Sequence, residues 1–168
     1  MLPGGGGYIT IVVPSPTLAA SETRAVLRKG DAAWAKHGCP SSAECCQLRT
    51  TGRPPWLWPT EWALLVKRVK GVLPPPRADG GCPFLDGAGK RCTVYEDRPL
   101  GCRTFFCHRM TGPAEVPSNV TNALFERLKA LNLALDDEAQ VRSLPQWYEA
   151  ERERGTGGAG PVEPSRVA

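Results

Sequence analysis

Seven cysteines confined to the stretch from Cys39 to Cys107 constrain this chain more than any other feature. They form two groups. The first reads Cys39-Pro40-Ser41-Ser42-Ala43-Glu44-Cys45-Cys46; the second is Cys82, Cys92, Cys102 and Cys107, with nine, nine and four residues in the intervals. The chain of 168 residues also holds 18 glycines and 17 prolines, so much of its backbone is turn and loop rather than packed element. A fold of that kind buries little apolar surface per residue and recruits disulfides or a metal to hold its loops.

The compartment separates those two staples. An export signal needs a basic start, an apolar run and a small-residue cleavage site, whereas this chain opens Met1-Leu2-Pro3 and continues with four glycines. The apolar run Ile9 to Val13 stops at Pro14, far below the ~20 residues that span a bilayer. A cytoplasmic chain with no membrane segment is expected. Cytosolic thiols stay reduced or bind metal, and an odd number of them cannot pair off within one chain. Thiolate is the ligand that zinc, iron and iron–sulfur clusters all accept, so Cys39, Cys45, Cys46, Cys82, Cys92, Cys102 and Cys107 are the candidate metal ligands.

Geometry limits how they are shared. Neighbouring Cys45 and Cys46 point to opposite faces of a strand, or about 100° apart on a helix, so both reach one ion only from irregular backbone. Cys102 and Cys107 are about 140° apart on a straight helix, so joint ligation requires the helix to end between them. Two counting schemes stay open. Seven cysteines plus His37 or His108 make two zinc sites of four ligands each; alternatively four cysteines hold one [4Fe–4S] cluster and the others are structural or serve a second metal. Arg98 and Arg103 flank the second group, where a guanidinium offsets thiolate charge, which makes them candidate supports for the cofactor.

Around the cysteines the pattern predicts mainly helix. Residues 17–37 are rich in helix formers, with an expected break at Gly30-Asp31. The segment Arg53 to Pro59 is an extended connector because of its three prolines. Thr60 is the expected N-cap of a helix over Glu61 to Lys70, with Trp62, Leu65, Val66 and Val69 on one face and Gly71 as terminator. Asp97 is an expected cap for a short helix at Arg98-Pro99. Ser118 is the expected cap of a last helix whose face carries Val120, Leu124, Leu128, Leu131 and Leu135, and a shorter one is expected from Pro145. The expected fold is mainly α: a small, irregular, loop-rich, metal-stapled domain with short helices and little or no sheet. Its parts are a flexible Gly/Pro-rich lead-in over 1–16 with a short strand near Tyr8 to Val13, one cysteine-cluster domain over 17–150, and a disordered tail over 151–168.

Three elements together are specific: Cys82-Pro83-Phe84-Leu85; Cys92-Thr-Val-Tyr95-Glu96-Asp97-Arg98-Pro99-Leu-Gly-Cys102-Arg103-Thr-Phe105; and the upstream Cys45-Cys46 pair. In this order, over residues 39–107, they resemble the YkgJ-type family of zinc- or iron-chelating cysteine-cluster proteins. One departure stands out. The family's first group commonly reads C-x2-C-x2-C-C, and Ser42 occupies the place of its second cysteine. The resemblance implies metal chelation, with Cys107 or His108 as replacement for the absent thiolate.

The leading expectation is therefore an accessory or carrier protein that chelates zinc or iron, as ions or as an iron–sulfur cluster. A related cluster in the flagellin lysine methylase group keeps an iron–sulfur redox or methylase-type enzyme component as the second expectation. A zinc-ribbon-like nucleic-acid module is third, suggested by the pI near 8.8 and the five tryptophans. It ranks last because the 21 basic residues, against 17 acidic, form no dense stripe. A protein partner is compatible with all three. No Walker-type loop, HExxH or Ser–His–Asp pattern is present.

Overall fold

The computed structural model describes residues 15–39, 42–107 and 109–156. The strand expected within Tyr8 to Val13, His108, and residues 157–168 of the expected tail lie outside them. Six helices and one two-stranded ribbon make up the described part, which is the mainly α, loop-rich architecture that the sequence implies.

Helix α1, Pro16–Ala33, begins where Ser15 caps the amide of Leu18 and Pro16 occupies the first turn. It runs through Gly30 without the expected break. The glycine serves close packing instead: short helix α4, Leu100–Arg103, crosses there, and a Cβ on residue 30 would stand 2.7 Å from Leu100 Cδ1. A helix tolerates an interior glycine at a cost of ~1 kcal/mol, and the approach of Leu100 offsets it.

Helix α2, Leu48–Thr51, is a single turn. Helix α3, Pro59–Arg68, is the central element. Its N-cap is Trp58 rather than Thr60, because Pro59 takes the first helical position and the Glu61 side chain reaches back to accept from the Trp58 amide at 2.9 Å. It ends in a Schellman arrangement in which Lys70 and Gly71 both adopt positive φ and the Gly71 amide donates to the Val66 carbonyl at 2.9 Å. Trp62 and Leu65 face one apolar cluster with Leu57, Phe84, Leu85, Val94, Leu144, Tyr148 and Cys82. Leu64 faces a second, with Val26, Leu27, Leu100, Leu124 and Leu128. One helix thus joins the two halves of the core, and the cysteine loops hang on the first half.

Helix α5, Ser118–Leu135, follows Pro117 and Ser118 is its first residue, not its cap. Its buried face is rotated from the expected stripe. Thr121, Leu124, Leu128 and Asn132 point inward while Val120 is exposed. The two polar members are satisfied: Thr121 Oγ1 accepts from Trp34 Nε1 at 3.0 Å, and Asn132 bridges Thr60 and the Leu128 carbonyl. Strands β1, Trp56–Leu57, and β2, Arg142–Ser143, pair antiparallel, Trp56 opposite Ser143 and Leu57 opposite Arg142. Helix α6, Leu144–Thr156, leaves β2 directly and continues past Glu151, where the tail was expected to begin. Trp62 Nε1 donates to Glu151 at 3.0 Å, which ties that helix to α3. Among the described residues no helix is long and apolar enough to cross a membrane.

Candidate metal centre

The two cysteine groups meet through their backbones. Cys45 and Cys46 sit in a 3-10 turn, Glu44–Cys46, entered through Ala43 in the left-handed region at φ 56°. This is the irregular backbone that a vicinal pair needs. The Cys82 amide donates to the Cys46 carbonyl at 2.7 Å, and the Arg49 amide to the Gly80 carbonyl at 3.2 Å. Residues 82–92 then fold as a hairpin. Asp86 accepts from the amides of Lys90 and Arg91, Thr93 donates to the Phe84 carbonyl, and Leu85 bridges to Cys92. The hairpin brings Cys92 back beside Cys82.

Cys102 arrives on α4, which starts after Pro99 rather than at Arg98-Pro99. Asp97 does not cap it. That carboxylate ends a 3-10 turn, Tyr95–Asp97, and pairs instead with Arg24 at 3.1 Å. Helix α4 ends at Arg103, between Cys102 and Cys107, which removes the angular obstacle between those two thiols.

All seven cysteines line one cavity of about 750 Å³, together with His37, Tyr95, Arg98 and Arg103. Cys82 is buried, Cys39 exposed and the others half-buried, and all seven are free thiols among the described residues. Ser42, at the place of the family's second cysteine, is exposed. His108 lies outside the described residues.

Five of the thiols influence one another's charge. The Cys45 and Cys46 sulfurs are 3.9 Å apart. The hydrogen bond between them brings the Cys45 thiol down to about 7, while the Cys46 thiol is pushed up by the same bond and further by burial. Burial pushes Cys82 up to about 12, with Cys92 and Cys45 adding repulsion. Burial likewise raises Cys92, and Cys102 well above the ordinary thiol range. A pocket that resists becoming anionic on its own is one in which a cation has most to gain, because its charge reverses both the desolvation and the repulsion.

The arginines divide their work. Arg103 is buried, with its guanidinium committed to the Asp31 carboxylate and to the carbonyls of Glu96 and Arg98. Arg98 pairs with Asp31 at 3.0 Å, lies 3.7 Å over the Tyr95 ring, and lowers the thiols of Cys45 and Cys92 by its charge. Arg98 thus brings positive charge near Cys45 and Cys92, while Arg103 holds the Glu96 and Arg98 carbonyls of the loop that carries Arg98.

Two residues beside the centre carried no ligand signal in the sequence. Asp31 clamps both arginines. Glu61, 1% exposed, accepts from the amides of Trp58 and Leu100 at 2.9 and 2.8 Å, so a single carboxylate ties the starts of α3 and α4. Its spacing three residues after the cap was the available signal.

Among the described residues no three Cys, His, Asp or Glu side chains already stand ready to hold an ion. Side-chain rotation around the cavity is thus part of any ligation. The donor set itself fits a thiophilic metal: five mutually coupled thiols, a flanking guanidinium and loops that bend.

A family model, CxxCxxCC, described as "Putative zinc- or iron-chelating domain", matches residues 37–126. Comparison with curated proteins and with solved structures found no match.

Proposed function

The chain belongs to the CxxCxxCC family of zinc- or iron-chelating domains, and from that premise we propose that Cys45, Cys46, Cys82, Cys92 and Cys102 are the thiolates that take up the metal. The observation that carries this assignment is the joining of the two cysteine groups at the Cys82–Cys46 backbone hydrogen bond, on the wall of one cavity. The metal supplies the positive charge that these buried thiols lack, and the thiolates supply soft, strongly bound donors in return. Arg98 offsets part of the excess negative charge once they ionise.

The number of thiols favours more than a lone tetrahedral ion. Four of the five are enough for a [4Fe–4S] cluster, and the fifth then packs beside it. An accessory or carrier role suits a domain whose cavity is lined by ligand-type groups, and a cytoplasmic setting keeps the thiols free for metal.

The test is elemental analysis and visible spectroscopy of protein purified without oxygen, for wild type and for Cys82→Ser and Cys102→Ser. Zinc or iron bound by the wild type and lost from both variants supports the assignment. A folded wild type that takes up neither metal, or variants that retain the full complement, overturns it. An iron–sulfur chromophore selects the cluster; colourless zinc protein rejects it.

A further inference from the structure

Among the described residues, one buried side-chain polar atom has no partner, and it belongs to His37, a residue that lines the cavity. His37 follows α1, and its amide donates to the Trp34 carbonyl at 2.9 Å. Its ring lies against Trp34, with centroids 4.9 Å apart. Its Nε2 stands 3.2 Å from the Glu115 carbonyl oxygen. A carbonyl only accepts, so Nε2 carries the hydrogen, and in the neutral ring Nδ1 presents its lone pair. Nδ1 is buried and has no hydrogen-bond partner among the described residues.

Neither protonation state repairs this with the groups at hand. A neutral ring leaves a buried acceptor without a donor; an imidazolium leaves a buried N–H without an acceptor. Either leaves the desolvation of that group uncompensated. A metal ion accepts the lone pair directly. Donation of the other ring N–H to a backbone carbonyl is also how metal-bound histidines are held in the right tautomer.

The surroundings supply companions. Gly38 and Thr111 exchange backbone hydrogen bonds at 2.8 and 3.1 Å, and the Met110 amide closes a turn on the Cys107 carbonyl at 3.1 Å. Trp34, which packs on His37, also lies 6.5 Å from the ring of Phe106. These contacts join the backbone beside His37 and Cys39 to the segment that follows Cys107, and all three residues line the cavity.

Resting on the thiolate chelation argued above, we propose that His37 is a further metal ligand, binding through Nδ1. It brings a nitrogen donor to a sulfur-rich centre.

Cadmium-113 substitution of the full chain separates this inference from the chelation on which it rests. The sulfur-to-cadmium absorption band reports thiolate ligation, and scalar coupling from cadmium to imidazole ring protons reports histidine ligation in the same sample. The expected result is the band together with coupling to one ring, abolished in His37→Gln, and cadmium affinity lowered at least about tenfold in that variant. The band without coupling to His37 overturns the inference and leaves chelation standing. Absence of the band overturns both. The coupling is read on the wild type, so a poorly folding variant does not blunt the test.

Discussion

Glu61 should make the stability of this protein fall as pH rises through the mildly acidic range. Its carboxyl is 1% exposed, and burial pushes its pKa from 4.5 to about 7, even though the Leu100 and Trp58 amides favour the ionised form. The folded state therefore holds a proton that the unfolded chain has released between about pH 4.5 and 7. A raised carboxyl contributes its full stability below the unfolded value and loses it as pH climbs through the folded one. At 1.36 kcal/mol per unit, the shift from 4.5 to about 7 amounts to about 3 kcal/mol. Glu61→Gln removes the titration and replaces one acceptor by an amide N–H facing a backbone donor, a cost of ~1–3 kcal/mol at low pH. Denaturant unfolding followed by tryptophan fluorescence, with both proteins handled alike, reads the difference between them, in which the shared thiols cancel. The stability of the wild type relative to Glu61→Gln should fall by about 3 kcal/mol between pH 4.5 and 8, so that its low-pH advantage is lost or reversed. A difference that stays constant across that window refutes the reasoning.

The thiols of Cys46, Cys82, Cys92 and Cys102 are all shifted upward, so zinc uptake at neutral pH should expel about three or more protons and tighten as pH rises. Calorimetry in buffers of different ionisation enthalpy measures that count, and release of fewer than one would contradict it. Leu100→Ala, at a fully buried side chain two residues before Cys102, should cost about 2–5 kcal/mol and weaken metal binding as α4 loosens; thermal melts with metal titration check both. Gly30→Ala meets Leu100 Cδ1 at 2.7 Å, whereas Gly155→Ala in α6 meets nothing within 4 Å. Overpacking of ~1–3 kcal/mol should lower the melting temperature of the first, while the second keeps or gains up to ~1 kcal/mol of helix propensity.

What was legible in the sequence was whatever repeats locally. The α3 face of Trp62 and Leu65 follows from helical spacing, and the Pro-rich connector before it from missing donors. The rotation of the α5 face was not legible, because Thr121 and Asn132 read as polar positions until Trp34 and Thr60 appear as their partners. Gly30 read as a breaker for the same reason: its meaning lies in Leu100, far along the chain. The cysteines were legible as a set through their residue types and motifs. The coupling of Cys45, Cys46, Cys82, Cys92 and Cys102 was not, since it depends on the 82–92 hairpin and on the Cys82–Cys46 hydrogen bond, both set by tertiary contacts.

Glu61 and the thiols also bear on each other. Cys102 leaves α4 two residues after the Leu100 amide that Glu61 holds at 2.8 Å, and the Glu61 carboxylate is among the charges that raise the Cys102 thiol. Ionising Glu61 thus opposes ionising Cys102 while a metal is absent. A bound cation favours the thiolate and, through the same field, the carboxylate, which then accepts both amides at full strength. Metal uptake should accordingly lower the Glu61 pKa from about 7 and tighten the junction of α3 with α4. Isotope-edited infrared spectra at pH 6, comparing wild type with Glu61→Gln, should show the protonated-carboxyl band of Glu61 weaken on adding zinc. A band that keeps its intensity while zinc binds would show that the junction and the metal centre act independently.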